Sequence, residues 1–272
     1  MIEQALAEFR ASNRGSWLVG DSSVDVETAR RAKLRSVLVE TGYAGLDCRE
    51  WATPDAIVPN LAAAVTYIMD LYPRLRAWCD EIADEVAPGG LVVIGGLARS
   101  GKSTFAHVLR DALGERGKPA VVLALDRWLK GEEAREPGVL GRYDMIAIQS
   151  LYESLEDPHR RPAEITLPGY RKLERVRIPN VEKIELSSAQ VVIIEGVVAL
   201  TPRQKESAPG RRYYIEIAEE LRMPRVVREY RLRGYSEAEA NRVYHNRQVD
   251  EVPVVESSAV GAVRVSMTEL FR

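Results

Sequence analysis

Across residues 1–72 the apolar positions fall alternately into helical spacings and short continuous runs. The spacing predicts helices over 2–12, 24–33 and 61–71, with strands over 16–20 and 36–40 between them. That is an α/β pattern, but too short for a complete open-sheet domain of ordinary size. Tyr72-Pro73 is expected to interrupt the helical run, because proline lacks the N–H that a helix interior uses. Leu75, Trp78, Cys79, Ile82, Ala83 and Val86 then restart it as an amphipathic helix, which Pro88-Gly89-Gly90 ends. The pattern thus predicts two pieces, 1–72 and 73–272. In the second, Leu91-Val92-Val93-Ile94 reads as a buried strand, Phe105 to Leu113 as a helix, and Ala120 to Leu125 and Val191 to Ile194 as two more buried strands. Ile165, Leu167, Val176, Ile178, Ile184 and Leu186 partly alternate with polar neighbours, which predicts a hairpin over about 163–187. A helical run ending at Gly234 and another over 236–249 follow.

One loop carries specific chemistry. Gly96-Leu97-Ala98-Arg99-Ser100-Gly101-Lys102-Ser103, followed by Thr104, fits G-x-x-x-x-G-K-[ST] and lies between a predicted strand and a predicted helix. Glycines let successive backbone N–H groups converge on phosphate oxygens, and the helix adds its positive N-terminal end. Gly96, Ala98, Arg99, Ser100, Gly101, Lys102, Ser103 and Thr104 are therefore expected to bind a nucleotide triphosphate. Lys102 would supply a point charge and the Ser103 hydroxyl a magnesium ligand. The strand 120–125 delivers Asp126, and the strand 191–194 delivers Glu195 followed by Gly196. Acids at the C-terminal edge of a parallel sheet face its ligand crevice, so Asp126 is placed to take a proton from an attacking hydroxyl. A loop aspartate capping the next turn is the plainer alternative.

Composition narrows the partners. With 272 residues, 46% hydrophobic and 29% charged, the chain can bury a sizeable core in more than one domain. A net charge of -2 argues against a general nucleic-acid or membrane-surface binder, and neither piece is strongly biased: residues 1–72 hold 7 basic and 10 acidic residues, the rest 31 and 30. No segment is apolar enough to span a bilayer, and Glu3, Glu8 and Arg10 break up any signal-peptide core. Cys48 and Cys79 show no metal-type spacing, as expected of thiols in a reducing cytoplasm.

Residues from about 90 onward resemble the uridine kinase and phosphoribulokinase branch of phosphate-loop kinases. The resemblance implies an α/β fold with a mainly parallel sheet flanked by helices, and ATP and Mg2+ as cofactors. It makes Asp126 the general base or hydroxyl-orienting group and brings Glu195 near magnesium. Tyr143-Asp144 resembles the pair that opens a helix in uridine kinases, where the aspartate grips sugar hydroxyls. Pro168-Gly169-Tyr170 with Arg175 and Arg177 looks like the substrate hairpin, so Asp144, Tyr170, Arg175 and Arg177 become acceptor-site candidates. Arg171 stands where an acid is common, which favours an anionic acceptor; a solvated hairpin face fits these arginines equally well. Arg228-Glu229-Tyr230-Arg231-Leu232-Arg233-Gly234 resembles the RDxxxRG lid, over about 222–251, and implicates Arg228 and Arg233 in phosphate binding. An ordinary surface pair between Arg225 and Glu229 is the alternative there.

Trp17-Leu18-Val19-Gly20-Asp21-Ser22-Ser23-Val24-Asp25 resembles the GDxxxD element of haloacid dehalogenase-type phosphatases of the histidinol-phosphate and heptose-bisphosphate branch, which would make Asp21 and Asp25 vestigial magnesium ligands. A loop and a helix cap explain them as readily. No DxD element precedes Asp21, and the nucleophile of that family is the first aspartate of such a motif, so phosphatase activity is not expected. The sequence therefore points to an ATP-dependent kinase acting on a hydroxyl of a small polar metabolite, and leaves self-association open. The competing readings are a polynucleotide 5′-hydroxyl kinase, which would want a basic, aromatic-lined channel, and a non-catalytic ATP-binding regulatory module.

Overall fold

The computed structural model describes residues 2–47, 49–203 and 210–271, so Cys48 lies outside it. The chain divides into two compact units, Met1–Arg74 and Leu75–Arg272.

The first unit runs α1 (Ile2–Glu8), β1 (Trp17–Gly20), α2 (Ser23–Arg31), β2 (Arg35–Val39), β3 (Ala56–Val58) and α3 (Leu61–Thr66), its strands forming a parallel sheet in the order β1-β2-β3. α1 is shorter than its apolar spacing suggests, and Arg10 just beyond it takes a left-handed φ of 50° that a helix cannot continue. Val37, Val39, Ala56, Ala64 and Tyr67 make the core. Trp17 packs edge-on against Tyr72 at 4.8 Å, with the Arg35 guanidinium over both rings.

Pro73 does not interrupt the helix. Tyr67–Leu71 forms a π turn in which the Tyr72 N–H bonds the Tyr67 carbonyl, and α4 (Tyr72–Glu85) continues directly. Proline removes one helical donor and its ring crowds the carbonyl four residues back, and a single wider turn relieves both. The boundary between the units falls inside α4, whose Leu75, Cys79 and Ala83 are buried.

The second unit continues with β4 (Leu91–Gly95), α5 (Lys102–Glu115), β5 (Ala120–Ala124), α6 (Gly138–Gly141), α7 (Met145–Leu155), β6 (Glu164–Arg171), β7 (Val176–Glu185), β8 (Val191–Glu195), β9 (Gly210–Glu216), α8 (Glu219–Leu232), α9 (Glu237–Asp250), α10 (Val252–Ser258) and β10 (Val263–Ser266). Five strands form one parallel sheet in the order β10-β9-β4-β8-β5. β4 and β8 are buried at every position, which is why they read as unbroken apolar runs. β9 and β10 have no such run: Arg211, Arg212 and Arg264 interrupt them, so the sequence did not disclose two strands of the sheet. From β4 the chain crosses to β5, returns to insert β8 between them, and then places β9 on the other side of β4. The direction of winding thus reverses at β4, and in open parallel sheets such a reversal opens a ligand crevice at the C-terminal strand ends.

β6 and β7 form the expected antiparallel hairpin, with a register shift between Leu167 and Gly169 where Pro168 offers no ladder donor. α8 and α9 pack on one another through Val226, Tyr230, Ala240 and Tyr244. Ser236 and Glu239 close a capping box that starts α9. Among the described residues, no helix is long and apolar enough to cross a membrane.

Candidate active site

The loop between β4 and α5 is held in a shape that its glycines permit. Gly96 has φ 144°, and a Cβ there would come within 2.3 Å of the Ile215 carbonyl of β9. Gly101 has φ 101° and leads into α5, so the first turn of that helix points its free N–H groups into the loop. Arg99 also takes a left-handed φ of 63°. The Ser100 hydroxyl oxygen is buried without a hydrogen-bond partner, as suits a polar group built for a ligand. Lys102 is 7% exposed and its ammonium donates to the Leu97 carbonyl at 2.8 Å. Burial pulls Lys102 below the ordinary lysine value, against the opposing pull of Glu195, Asp126 and Glu251.

Strand register brings the acids in. Glu195 ends β8 beside Ile94 of β4 and Ala124 of β5, and its Oε1 accepts from Ser103 Oγ at 2.9 Å. Burial pushes its carboxyl up to about 7 and Asp126 adds to the rise, while Lys102 and the Ser103 hydrogen bond oppose it. Asp126 follows β5 in a short 3-10 turn, exposed at the sheet edge, where it accepts from the Tyr143 hydroxyl at 3.4 Å. Lys102, Ser103, Glu195 and Asp126 therefore form one interacting cluster. Among the described residues, no group of three or more His, Cys, Asp or Glu side chains forms a metal cage. A hydroxyl and one carboxylate beside a phosphate loop is instead the donor set of a cation that keeps its waters and takes phosphate oxygens, as magnesium does.

The other sequence candidates are distributed around this cluster. Asp144 caps α7 by accepting from Ala147 N at 3.0 Å, and Arg177 of β7 donates to it at 2.7 Å. Partial burial works against its ionisation, but those two donors, with Lys130 nearby, hold it below the usual carboxylate value. The Tyr170 hydroxyl bonds Arg135, whose guanidinium also lies over the ring. Arg175 pairs with Glu132 and lies over Tyr235, between α8 and α9, while Arg171 pairs with Glu174 within the hairpin. Arg228 sits half-buried on α8. Its neighbour Glu229 bonds Arg99 Nε of the phosphate loop at 2.8 Å and pairs with Arg233. Burial disfavours ionised Glu229, but Arg99, Arg233 and Lys172 outweigh it and hold the carboxyl well below its ordinary value. Glu229 therefore takes Arg99 and Arg233 as partners, linking the predicted lid to the loop.

Asp21 and Asp25 lie in the first unit. Asp25 completes a capping box with Ser22, and Asp21 accepts from the Tyr43 N–H at 2.8 Å.

Sequence reasoning missed three contributors. Arg222 of α8 donates to the Ala98 carbonyl at 3.3 Å, Glu251 accepts from the Ala98 N–H at 3.2 Å, and Lys172 at the hairpin tip acts electrostatically on Glu195 and Glu229. No local signal marks them, since Glu251 and Ala98 are separated by 153 positions.

Residues 1–64 match the HAD-hydrolase-like family. The chain is 36% identical over 77 residues to the D-glycero-D-manno-heptose-1,7-bisphosphate 7-phosphatase of Chlorobaculum tepidum, covering 25% of this chain and 39% of that protein. The chain thus spans well under half the length of that relative. Among solved structures it resembles a provisionally assigned fructose transport system kinase from Silicibacter sp. TM1040, with TM-score 0.53 and 20% identity over 70% of this chain and 95% of the other. It also resembles YFH7 from Saccharomyces cerevisiae, a provisionally assigned P-loop kinase with a circular permutation, with TM-score 0.54 and 12% identity over 72% and 98%. The chain has the fold of the P-loop kinases, a mainly parallel sheet flanked by helices, preceded by a segment similar to the haloacid dehalogenase hydrolases.

Proposed function

We propose that this protein catalyses ATP- and magnesium-dependent phosphoryl transfer to a hydroxyl of a small polar metabolite: a nucleoside, sugar or sugar phosphate. The observation that carries the reading is the Ser103–Glu195 contact at 2.9 Å, made beside the buried Lys102 and within the electrostatic reach of Asp126. Phosphoryl transfer asks a protein mainly for alignment and charge compensation, and these four residues offer both.

The roles follow from charge and position. Lys102 and the loop amides would hold the outer phosphates, with Arg228 and Arg233 closing over them. Ser103 and Glu195 would hold magnesium, which when bound neutralises phosphate charge. Asp126 would orient the acceptor hydroxyl and take its proton, and Asp144 would bind the acceptor, with Tyr170, Arg175 and Arg177 bordering it. The kinase-fold relatives support the reading through fold alone.

The test is ATP consumption by the purified chain across a panel of nucleosides, sugars and sugar phosphates. Asp126→Asn should lower turnover on the responding acceptor about a hundredfold or more, the usual size of a lost general base. Lys102→Ala should do at least as much. Either variant at full turnover would remove these assignments.

A further inference from the structure

Glu251 joins α9 to α10 and is 2% exposed, yet its carboxylate reaches three separate parts of the second unit. Oε1 accepts from the Ala98 N–H of the phosphate loop at 3.2 Å. Oε2 lies 3.4 Å from Arg142 Nη1, immediately before Tyr143 and Asp144, and 3.5 Å from Arg247 Nε on α9. Arg142 also pairs with Asp250, and the Arg247 guanidinium lies over the Tyr230 ring of α8 at 5.6 Å. One buried acid thus connects the loop, the acceptor side and the helix pair that would close over both.

Its bond to Ala98 has a chemical consequence. A free N–H in a phosphate loop is a donor for an anionic oxygen, and here a carboxylate oxygen already occupies it. One N–H cannot serve a carboxylate and a phosphate oxygen equally, and two anions at that distance repel. Glu251 moved off Ala98 still has Arg142 and Arg247, so its charge stays compensated.

We propose that Glu251 is a positioning residue that competes with the nucleotide phosphates for the Ala98 amide and, once displaced, anchors Arg142 and Arg247 so that nucleotide entry is coupled to closure of α8 and α9. The inference rests on the kinase reading above. Two readouts on the full chain test it: calorimetric affinity for a non-hydrolysable ATP analogue with magnesium, and protection of the arginine-rich α8–α9 region from trypsin at saturating analogue.

Glu251→Gln should bind the analogue about fivefold more tightly, the scale of one unit-charge repulsion at ~4 Å in a water-like medium, yet lose the protection seen in the wild type. A residue with only a structural role would lose affinity and protection together. Glu251→Asp, which keeps the charge on a shorter arm, should also bind more tightly and should retain protection. It carries the affinity test if the glutamine variant does not fold. Wild-type protein that binds no nucleotide removes the proposed function and this inference together. Wild-type binding with no gain in the variants, or protection retained in Glu251→Gln, leaves the function standing and overturns the inference.

Discussion

Glu195 shows how one side chain converts burial into a measurable pH dependence. Its folded value, about 7, lies above the 4.5 of an unperturbed glutamate, so the folded state keeps this proton where the unfolded chain has released it. The contribution to stability is therefore fully present below about pH 4.5 and is lost as pH rises through about 7, on the order of 3 kcal/mol in all. In metal-free protein, the melting temperature of Glu195→Gln should gain on the wild type as pH is raised from 5 to 8; parallel curves would contradict the assignment. Gly96 gives a second test at this scale. With φ 144° and the Ile215 carbonyl in the path of any Cβ, Gly96→Ala should cost about 2 kcal/mol or more in denaturant unfolding and weaken nucleotide binding. The glycine is plain in the sequence motif. Its crowding by β9 is not, because Ile215 is brought alongside only by the sheet.

Elements differ in how much of their form is local. α9 begins where Ser236 and Glu239 satisfy each other's backbone N–H groups, at 3.3 and 2.8 Å, a start signal contained in four residues. Ser236→Ala should cost about 1 kcal/mol, read as a lower urea midpoint at unchanged slope. The helix around Pro73 is the opposite case. Proline is a local stop signal, yet here the run passes through it by way of a π turn, with Tyr67 and Tyr72 packed against Trp17. A rule about single residues cannot anticipate a wider turn and a ring cluster on the N-terminal side of the proline. The hairpin was legible from alternation. What its tip approaches was not, and Lys172 gained its relation to Glu195 and Glu229 only through folding.

For the whole molecule, the candidate site and every partner named for it lie within residues 75–272. A chain of residues 72–272, which keeps α4 intact, should bind a non-hydrolysable ATP analogue within about threefold of the full protein; a loss beyond tenfold would mean the first unit takes part in binding. The sequence by itself determined the phosphate loop, the buried strands on either side of it and the acids at their ends, because each depends on contiguous residues: glycine φ values, unbroken apolar runs, a charge at a strand exit. Only the tertiary structure decided that β8 slots between β4 and β5 to bring Glu195 against Ser103, that Glu229 reaches Arg99 of the phosphate loop as well as Arg233 four positions on, and that Glu251 reaches Ala98. The contacts to Ser103, Arg99 and Ala98 span from 92 to 153 positions, and hydrophobic periodicity says which face of an element is buried without saying which distant element will meet it.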